Sequence, residues 1–295
     1  MIRWAGTIFA GLLGLAFGSF LNVCLSRWPE GESVVAPRSH CRACGRTLAW
    51  WENVPVVSWI ALRGRCRTCG VWIGWRYPIV ELAVGLVWAA VAWRLLGWML
   101  VPETPVGVVL FGIGAALSHA AFYWLVVALA SLDAEHLWLP DWFTWPGIAL
   151  GVACSAVPFP FDATFAVFRG GGGTHIRAAL AAIVSAAIAA GLILLIRWIY
   201  WLIRRREGLG LGDAKLMAML GAWLGLQGAL LAFGLGVVLG ALVAVIVLIA
   251  KPKTSEAGGW AAMKLPLGTF LCIGGIVSGL WGQRILDAYL RWAGF

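Results

Sequence analysis

Long apolar stretches separated by short polar ones set the first expectation. A helix needs about 20 apolar residues to cross a bilayer core. The pattern predicts eight spans, over 5–25, 78–98, 107–130, 142–158, 178–202, 213–226, 228–250 and 265–285. The fourth and sixth are short, and the sixth opens in a polar segment. The first stretch has no A-x-A-like cleavage site, so Met1 to Leu25 reads as a retained helix and not a signal peptide.

Basic residues orient these spans, because cytoplasmic loops carry an excess of Lys and Arg. Arg38, Arg42, Arg46, Arg63, Arg65 and Arg67 crowd the segment after the first span. That segment is expected in the cytoplasm, with the N-terminus outside. Alternation over eight spans then puts Arg204, Arg205, Arg206 and all the lysines (Lys215, Lys251, Lys253 and Lys264) inside. A six- or seven-span chain would move some basic loops to the wrong side. The run Gly170 to Gly173 falls in an outer loop and reads as a flexible linker, since no Gly-Lys-Ser/Thr follows it.

Composition agrees with a lipid environment. Hydrophobic residues make up 62% of the chain and charged residues 12%, against roughly 25% charged in soluble domains. Mean hydropathy is +0.89. The net charge of +9 follows from the loop bias and calls for no nucleic-acid partner. Trp98, Trp138, Trp142 and Trp198 sit near span ends, where an aromatic belt lies.

Cys24, Cys154 and Cys272 are isolated in apolar stretches and read as packing residues. The other four form Cys41-x-x-Cys44 and Cys66-x-x-Cys69. Two such knuckles converge four thiolates on one ion, the tetrahedral set that zinc prefers. Gly45 and Gly70 follow the second cysteine of each pair and suit turns of positive φ. Disulfides are the alternative, and a reducing cytosol argues against them. With four cysteines and no open position, the site is structural, and it supplies folding free energy to a segment too small for a large core. His40 is expected to be a surface residue.

Ionisable groups near apolar spans are functional candidates. Asp133 ends the third expected span and Asp213 opens the sixth, and eight-span alternation puts both at the cytoplasmic face. Two carboxylates at one poorly solvated site share a proton, activate water and protonate a leaving amine. The glycines at Gly208, Gly210 and Gly212 allow close backbone or substrate approach. The competing reading is plain: Asp213 caps its helix and Asp133 merely ends one. Glu135, Asp141 and Glu81 compete as partners. Pro140-Asp141 reads as a helix start, and His136 as a loop histidine.

With these residues in view, the chain resembles the type IV prepilin peptidases, bacterial GxGD intramembrane aspartyl proteases. The resemblance rests on Gly18-Ser19-Phe20-Leu21-Asn22-Val23, Arg27-Trp28-Pro29, the two cysteine pairs and Trp51-Glu52-Asn53-Val54-Pro55. It continues through Leu62-Arg63-Gly64-Arg65-Cys66, Trp75-Arg76-Tyr77-Pro78 and Glu81. The aspartates fall in Leu132-Asp133, followed by Leu139-Pro140-Asp141, and in Gly210-Leu211-Gly212-Asp213 with Lys215-Leu216.

The resemblance implies that Asp133 and Asp213 are catalytic. The implied substrate is the basic leader of a type IV prepilin or a type II secretion pseudopilin, cut at the cytoplasmic face of the bacterial inner membrane. Glu135 is a candidate to attract basic leader residues. Members with the cysteine module also N-methylate the new terminal residue with S-adenosylmethionine, and Glu81 is a candidate in that second activity. No Rossmann fingerprint marks the donor site. The family often has a Pro-Phe-Gly-Pro-like segment before its last helix. Here it reads Leu265-Pro266-Leu267-Gly268-Thr269 and lacks the second proline. Pro266 and Gly268, with Gly210 and Gly212, are the expected platform for the substrate strand.

The expected fold is an all-α polytopic membrane protein of about eight transmembrane helices, with a small cytoplasmic zinc-binding four-cysteine module after helix 1. Its expected parts are 1–25 (first helix), 26–77 (module), 78–106 (second helix and outer loop), 107–285 (peptidase domain) and 286–295 (tail). A transporter would spread its acids across several helices, whereas these gather at one face. A membrane-tethered zinc module that only binds a partner would leave the aspartate motifs without a purpose.

Overall fold

The structure, a computed structural model, describes residues 1–100, 105–156, 175–206, 208–250 and 265–294. Gly170 to Gly173, Lys251, Lys253 and Lys264 lie outside the described residues. The chain divides into two units, Met1–Ala128 and Leu129–Phe295.

The first unit is built on α1 (Ile2–Arg27) and α3 (Arg76–Met99), with the cysteine module and the short α2 (Val57–Ala61) between them in sequence. Glycines bring α1 and α3 together, as small residues do where helices pack in lipid. A methyl group on Gly18 would lie 2.7 Å from the Glu81 Cα, and one on Gly14 would lie 2.9 Å from the Gly85 Cα. At the other end of this seam, Arg3 donates to the Trp93 carbonyl at 2.8 and 3.0 Å and covers the Trp93 ring. Helix α4 (Val106–His136) begins in this unit and ends in the next.

The second unit holds the end of α4, then α5 (Asp141–Ala156), α6 (His175–Arg204), α7 (Leu211–Ala250) and α8 (Leu267–Ala293). Helix α7 is broken at Gly225, whose φ of 70° and ψ of 176° are not helical. Its first segment is the core of the unit: Leu216, Met217, Met219, Leu220 and Leu224 are all fully buried. A methyl on Gly221 would strike the α6 backbone at Ser185 and Ala186 (2.7–2.9 Å), and one on Gly151 of α5 would meet Trp223 at 2.7 Å. The Trp223 indole N–H donates to the Gly147 carbonyl at 2.8 Å. Trp138, Trp142 and Trp198 are exposed on the protein surface, as an aromatic belt requires.

The all-α membrane architecture is as expected, but the count of spans is not. Among the described residues six helices are long and apolar enough to cross a membrane, not eight: Ile2–Glu30, Arg76–Gly97, Val109–His136, His175–Arg204, Leu211–Ile249 and Leu267–Ala293. Among the described residues helix α5, the expected fourth span, has 16 residues with Pro146 inside it. It rises about 24 Å, short of a hydrocarbon core of roughly 30 Å. The expected sixth and seventh spans form one element interrupted at Gly225. The expected boundary, between 226 and 228, falls within two residues of this break, but no loop separates the two segments. With six spans, loop alternation no longer places Asp133 and Asp213 on one side. Their packing brings them together directly.

Candidate active site and metal centre

Asp133 lies near the C-terminal end of α4 and is 5% exposed. Its carboxylate meets the first turn of α8. The first N–H groups of any helix lack intrahelical partners and attract negative charge. Here the Thr269 N–H donates to Asp133 Oδ2 at 2.7 Å. The Thr269 hydroxyl oxygen lies 3.2 Å from the same oxygen and 2.9 Å from the Ala130 carbonyl, to which it can donate. Pro266 precedes the helix, and Gly268 faces the aspartate. A methyl on Gly268 would lie 2.9 Å from the carboxyl carbon of Asp133.

Asp213 lies in the first turn of α7 and is 9% exposed. Its Oδ2 accepts the Gly210 N–H at 3.2 Å, the reach-back of a capping acid three residues into a helix. The capping role weighed from the sequence is therefore present, and it holds the carboxyl at the site. Asp213 also lies within electrostatic reach of Asp133, and fully buried Cys272 of α8 lies within reach of both. Leu139 closes the floor: a methyl on Gly212 would approach its Cβ to 3.0 Å, and one on Gly268 its Cδ1 to 3.0 Å. Thus Asp133, Asp213, Gly210, Gly212 and Gly268 converge on one small region.

The competing acids fall elsewhere. Asp141 begins α5, as its Pro140 neighbour predicts, and pairs with Lys215 at 2.5 Å. That pair keeps the lysine's charge on Asp141. Glu135 and His136 are exposed, 3.9 Å apart. Glu81 belongs to the first unit, where it accepts the Val56 N–H at 2.7 Å. Thr269 was missed as a functional residue by sequence reasoning. Its position, directly after Pro266-Leu267-Gly268 at a helix start, was the available signal.

The four cysteine sulfurs of the module lie within 4.8 Å of one another, and none forms a disulfide. Four thiolates around zinc at about 2.3 Å lie about 3.8 Å apart, and Cys41 and Cys69 are separated by 3.8 Å. Both knuckles share one fold. The Cys41 N–H donates to the Arg46 carbonyl and the Gly45 N–H to Cys41; the Cys66 N–H donates to Val71 and the Gly70 N–H to Cys66. Gly45 and Gly70 both take φ of 70°, as the turn demands. Backbone N–H groups of Cys69 and Thr68 pull the Cys66 thiol down, while burial and the neighbouring sulfurs push Cys69 up, so the cluster favours a thiolate on Cys66 first.

Arg46 grips buried Glu52 through two hydrogen bonds, at 2.5 and 3.0 Å, and Glu52 also accepts the Ala49 N–H at 2.7 Å. This fork ties the first knuckle to the turn Trp50–Asn53. The Arg46 hydrogen bonds, helped by the Ala49 N–H, hold the Glu52 carboxyl below its ordinary value.

Comparison with known proteins gives a consistent result. The bacterial peptidase A24 N-terminal domain matches residues 12–95, and the type IV leader peptidase family matches residues 120–245. A prepilin leader peptidase/N-methyltransferase of Pseudomonas aeruginosa is 34% identical over 96% of this chain and 93% of its own length. One from Myxococcus xanthus is 40% identical over 85% of this chain and 65% of its own length. One from Xanthomonas campestris is 32% identical over 96% of this chain and 93% of its own. No solved structure matches the chain.

Proposed function

Because the chain belongs to the type IV leader peptidase family, we propose that it cuts the basic leader from a type IV prepilin or type II secretion pseudopilin and then N-methylates the new terminal residue with S-adenosylmethionine. Membership of the family makes it an aspartyl endopeptidase. The observation that carries the reading is the convergence of two buried carboxyls, Asp133 and Asp213, from the ends of two different helices.

The pair shares one proton. The ionised carboxylate takes a proton from water as its oxygen attacks the scissile carbonyl. The protonated carboxyl donates to that carbonyl oxygen, and the tetrahedral adduct collapses as the amine leaves protonated. Thr269 fixes Asp133 Oδ2, and Gly210 fixes Asp213 Oδ2, so both carboxyls are preorganised. Pro266, Gly268, Gly210 and Gly212 offer close backbone approach to an extended substrate strand.

The arginines of the cysteine module orient it to the cytoplasm of the bacterial inner membrane, and the leader is read from that side. Cys41, Cys44, Cys66 and Cys69 are the ligands for a structural zinc ion, whose binding stabilises the module.

Cleavage of a prepilin by purified wild type, Asp133→Asn and Asp213→Asn tests the assignment. Each variant loses at least about 10²- to 10⁴-fold, the range for general acid–base catalysis. Full activity in either one sinks it.

A further inference from the structure

One face of α3 is bare of protein. Trp75, Ile79, Leu82 and Leu86 are all exposed, and their spacing keeps them on a single side of a helix. The other side is taken by α1, which approaches Glu81 and Gly85. The exposed stripe therefore faces hydrocarbon along the span Arg76–Gly97. Trp75 stands directly before that span, at the depth where aromatic residues anchor helices in a membrane interface.

The apolar surface does not stop at Trp75. Its ring packs against Trp59 and Trp72, with centroids 4.5 and 5.7 Å away, and those two meet edge to face at 5.5 Å. Gly64 makes room for them: a methyl there would lie 2.5 Å from the Trp72 ring and 2.8 Å from that of Trp59. The Trp59 indole N–H donates to the Gly74 carbonyl at 3.1 Å and ties the cluster to the chain just ahead of α3. Trp59 belongs to α2, whose Val57 and Ile60, one turn apart and each 63% exposed, carry the apolar surface out onto the module. Arginines border it. Arg65 pairs with Trp72 across an antiparallel bridge, so their side chains leave the same face. The Arg63 N–H donates to the Ile60 carbonyl at 3.0 Å. Both arginines are exposed, and among the described residues neither has an ion pair. The acids of the module, Glu30, Glu32 and Glu52, are taken by Arg42 and Arg46.

We propose that this face of the module lies on the bilayer: Val57, Ile60, Trp72 and Trp75 enter the interface of the adjoining leaflet, and Arg63 and Arg65 meet anionic phospholipid headgroups. The patch extends, without a break, a surface that is already in lipid. It is rich in tryptophan and bordered by arginines, the composition of an element that rests in a membrane interface. A protein partner seated there would have to share Trp75 with the lipid beside Ile79. The consequence is mechanical. The module is joined to the membrane through α1 and α3 and again along α2, so the four-cysteine centre rides at a fixed depth and does not swing on its two connections.

Photolabelling tests the contact. The zinc-loaded full chain is placed in nanodiscs of phosphatidylcholine and phosphatidylglycerol with a trace of phospholipid carrying a photoactivatable headgroup, and the labelled peptides are mapped. Within the module, the label falls on residues 57–72 and spares the first knuckle, 41–45. Val57→Ser with Ile60→Ser, both at exposed positions, lowers that labelling and leaves the label on α3. Arg63→Gln with Arg65→Gln lowers it in these anionic discs, roughly fivefold for each arginine removed, and leaves it unchanged in discs of phosphatidylcholine alone. A zinc content equal to that of wild type shows that each variant is folded. Label absent from 57–72 in wild type, or undiminished in either zinc-loaded variant, overturns the proposal. Displacement of the label by excess prepilin gives the surface to a protein partner and overturns it as well.

Discussion

Thr269 holds Asp133 from the first turn of α8, its N–H 2.7 Å and its hydroxyl oxygen 3.2 Å from the same carboxylate oxygen. The two contacts are separable by mutation. Thr269→Val keeps the N–H and loses the hydroxyl. Thr269→Pro loses both, and proline is tolerated in a first helical turn. A hydrogen bond to a charged group contributes about 1.5–3 kcal/mol, or roughly 10- to 100-fold in rate. Thr269→Pro therefore lowers kcat for prepilin cleavage by about that factor, and Thr269→Val lowers it by less. Equal rates for wild type and Thr269→Pro reject a positioning role.

The glycines near the aspartates are not equivalent. A methyl at Gly268 meets the Asp133 carboxyl at 2.9 Å, whereas one at Gly210 comes no closer than 3.4 Å, to Asp213 Oδ2. Gly268→Ala must displace Asp133, and cleavage falls by at least about 10². Gly210→Ala leaves the carboxyl in place and crowds only the approach of the substrate strand, so cleavage falls by a smaller factor. A reversed ranking in the same assay contradicts the geometry.

Zinc is expected to hold the module together. Chelation, or Cys41→Ser with Cys44→Ser, releases the metal and abolishes the protease resistance of residues 28–75. Elemental analysis that still finds a full equivalent in the double variant rejects this ligand set.

Glu52 gives the module a pH signature. Its carboxyl is held low by Arg46, so the ion pair contributes stability above the unfolded glutamate value of about 4.3 and loses it as pH falls through the folded value. Glu52→Gln lowers the melting temperature at pH 7. The gap between the two proteins narrows below about pH 4, while zinc loss in acid affects both alike. A gap that is constant with pH excludes the charge as the cause.

Gly225 takes a backbone conformation that other residues adopt only at a cost of about 1–3 kcal/mol. Gly225→Ala is destabilising by that amount in denaturant unfolding in mixed micelles. An unchanged midpoint argues that the break is not required.

Much of the site was legible because its chemistry is local in sequence. The knuckles announce themselves through Cys41, Cys44, Cys66 and Cys69, and the glycine turns take the predicted backbone. Asp133 and Asp213 stood out as acids bordering apolar stretches. What stayed hidden depends on packing. Hydropathy reads only how apolar a stretch is. It marks a break beside Gly225, through Gln227 and Gly228, but cannot tell an interruption within one element from a loop between two spans. Thr269 is an ordinary residue until the α8 terminus is docked on Asp133.

The close seam between α1 and α3 also bears on the order of assembly. Gly14 and Gly18 bring the two helices into backbone contact, so the ends of the segment 28–75 are already neighbours before any cysteine meets a metal. Closing a free loop of that length costs about 3.5 kcal/mol in chain entropy. Helix pairing in the bilayer meets that cost first. The four thiolates then face one another at a raised effective concentration, and the ion captures a loop that the membrane has already closed.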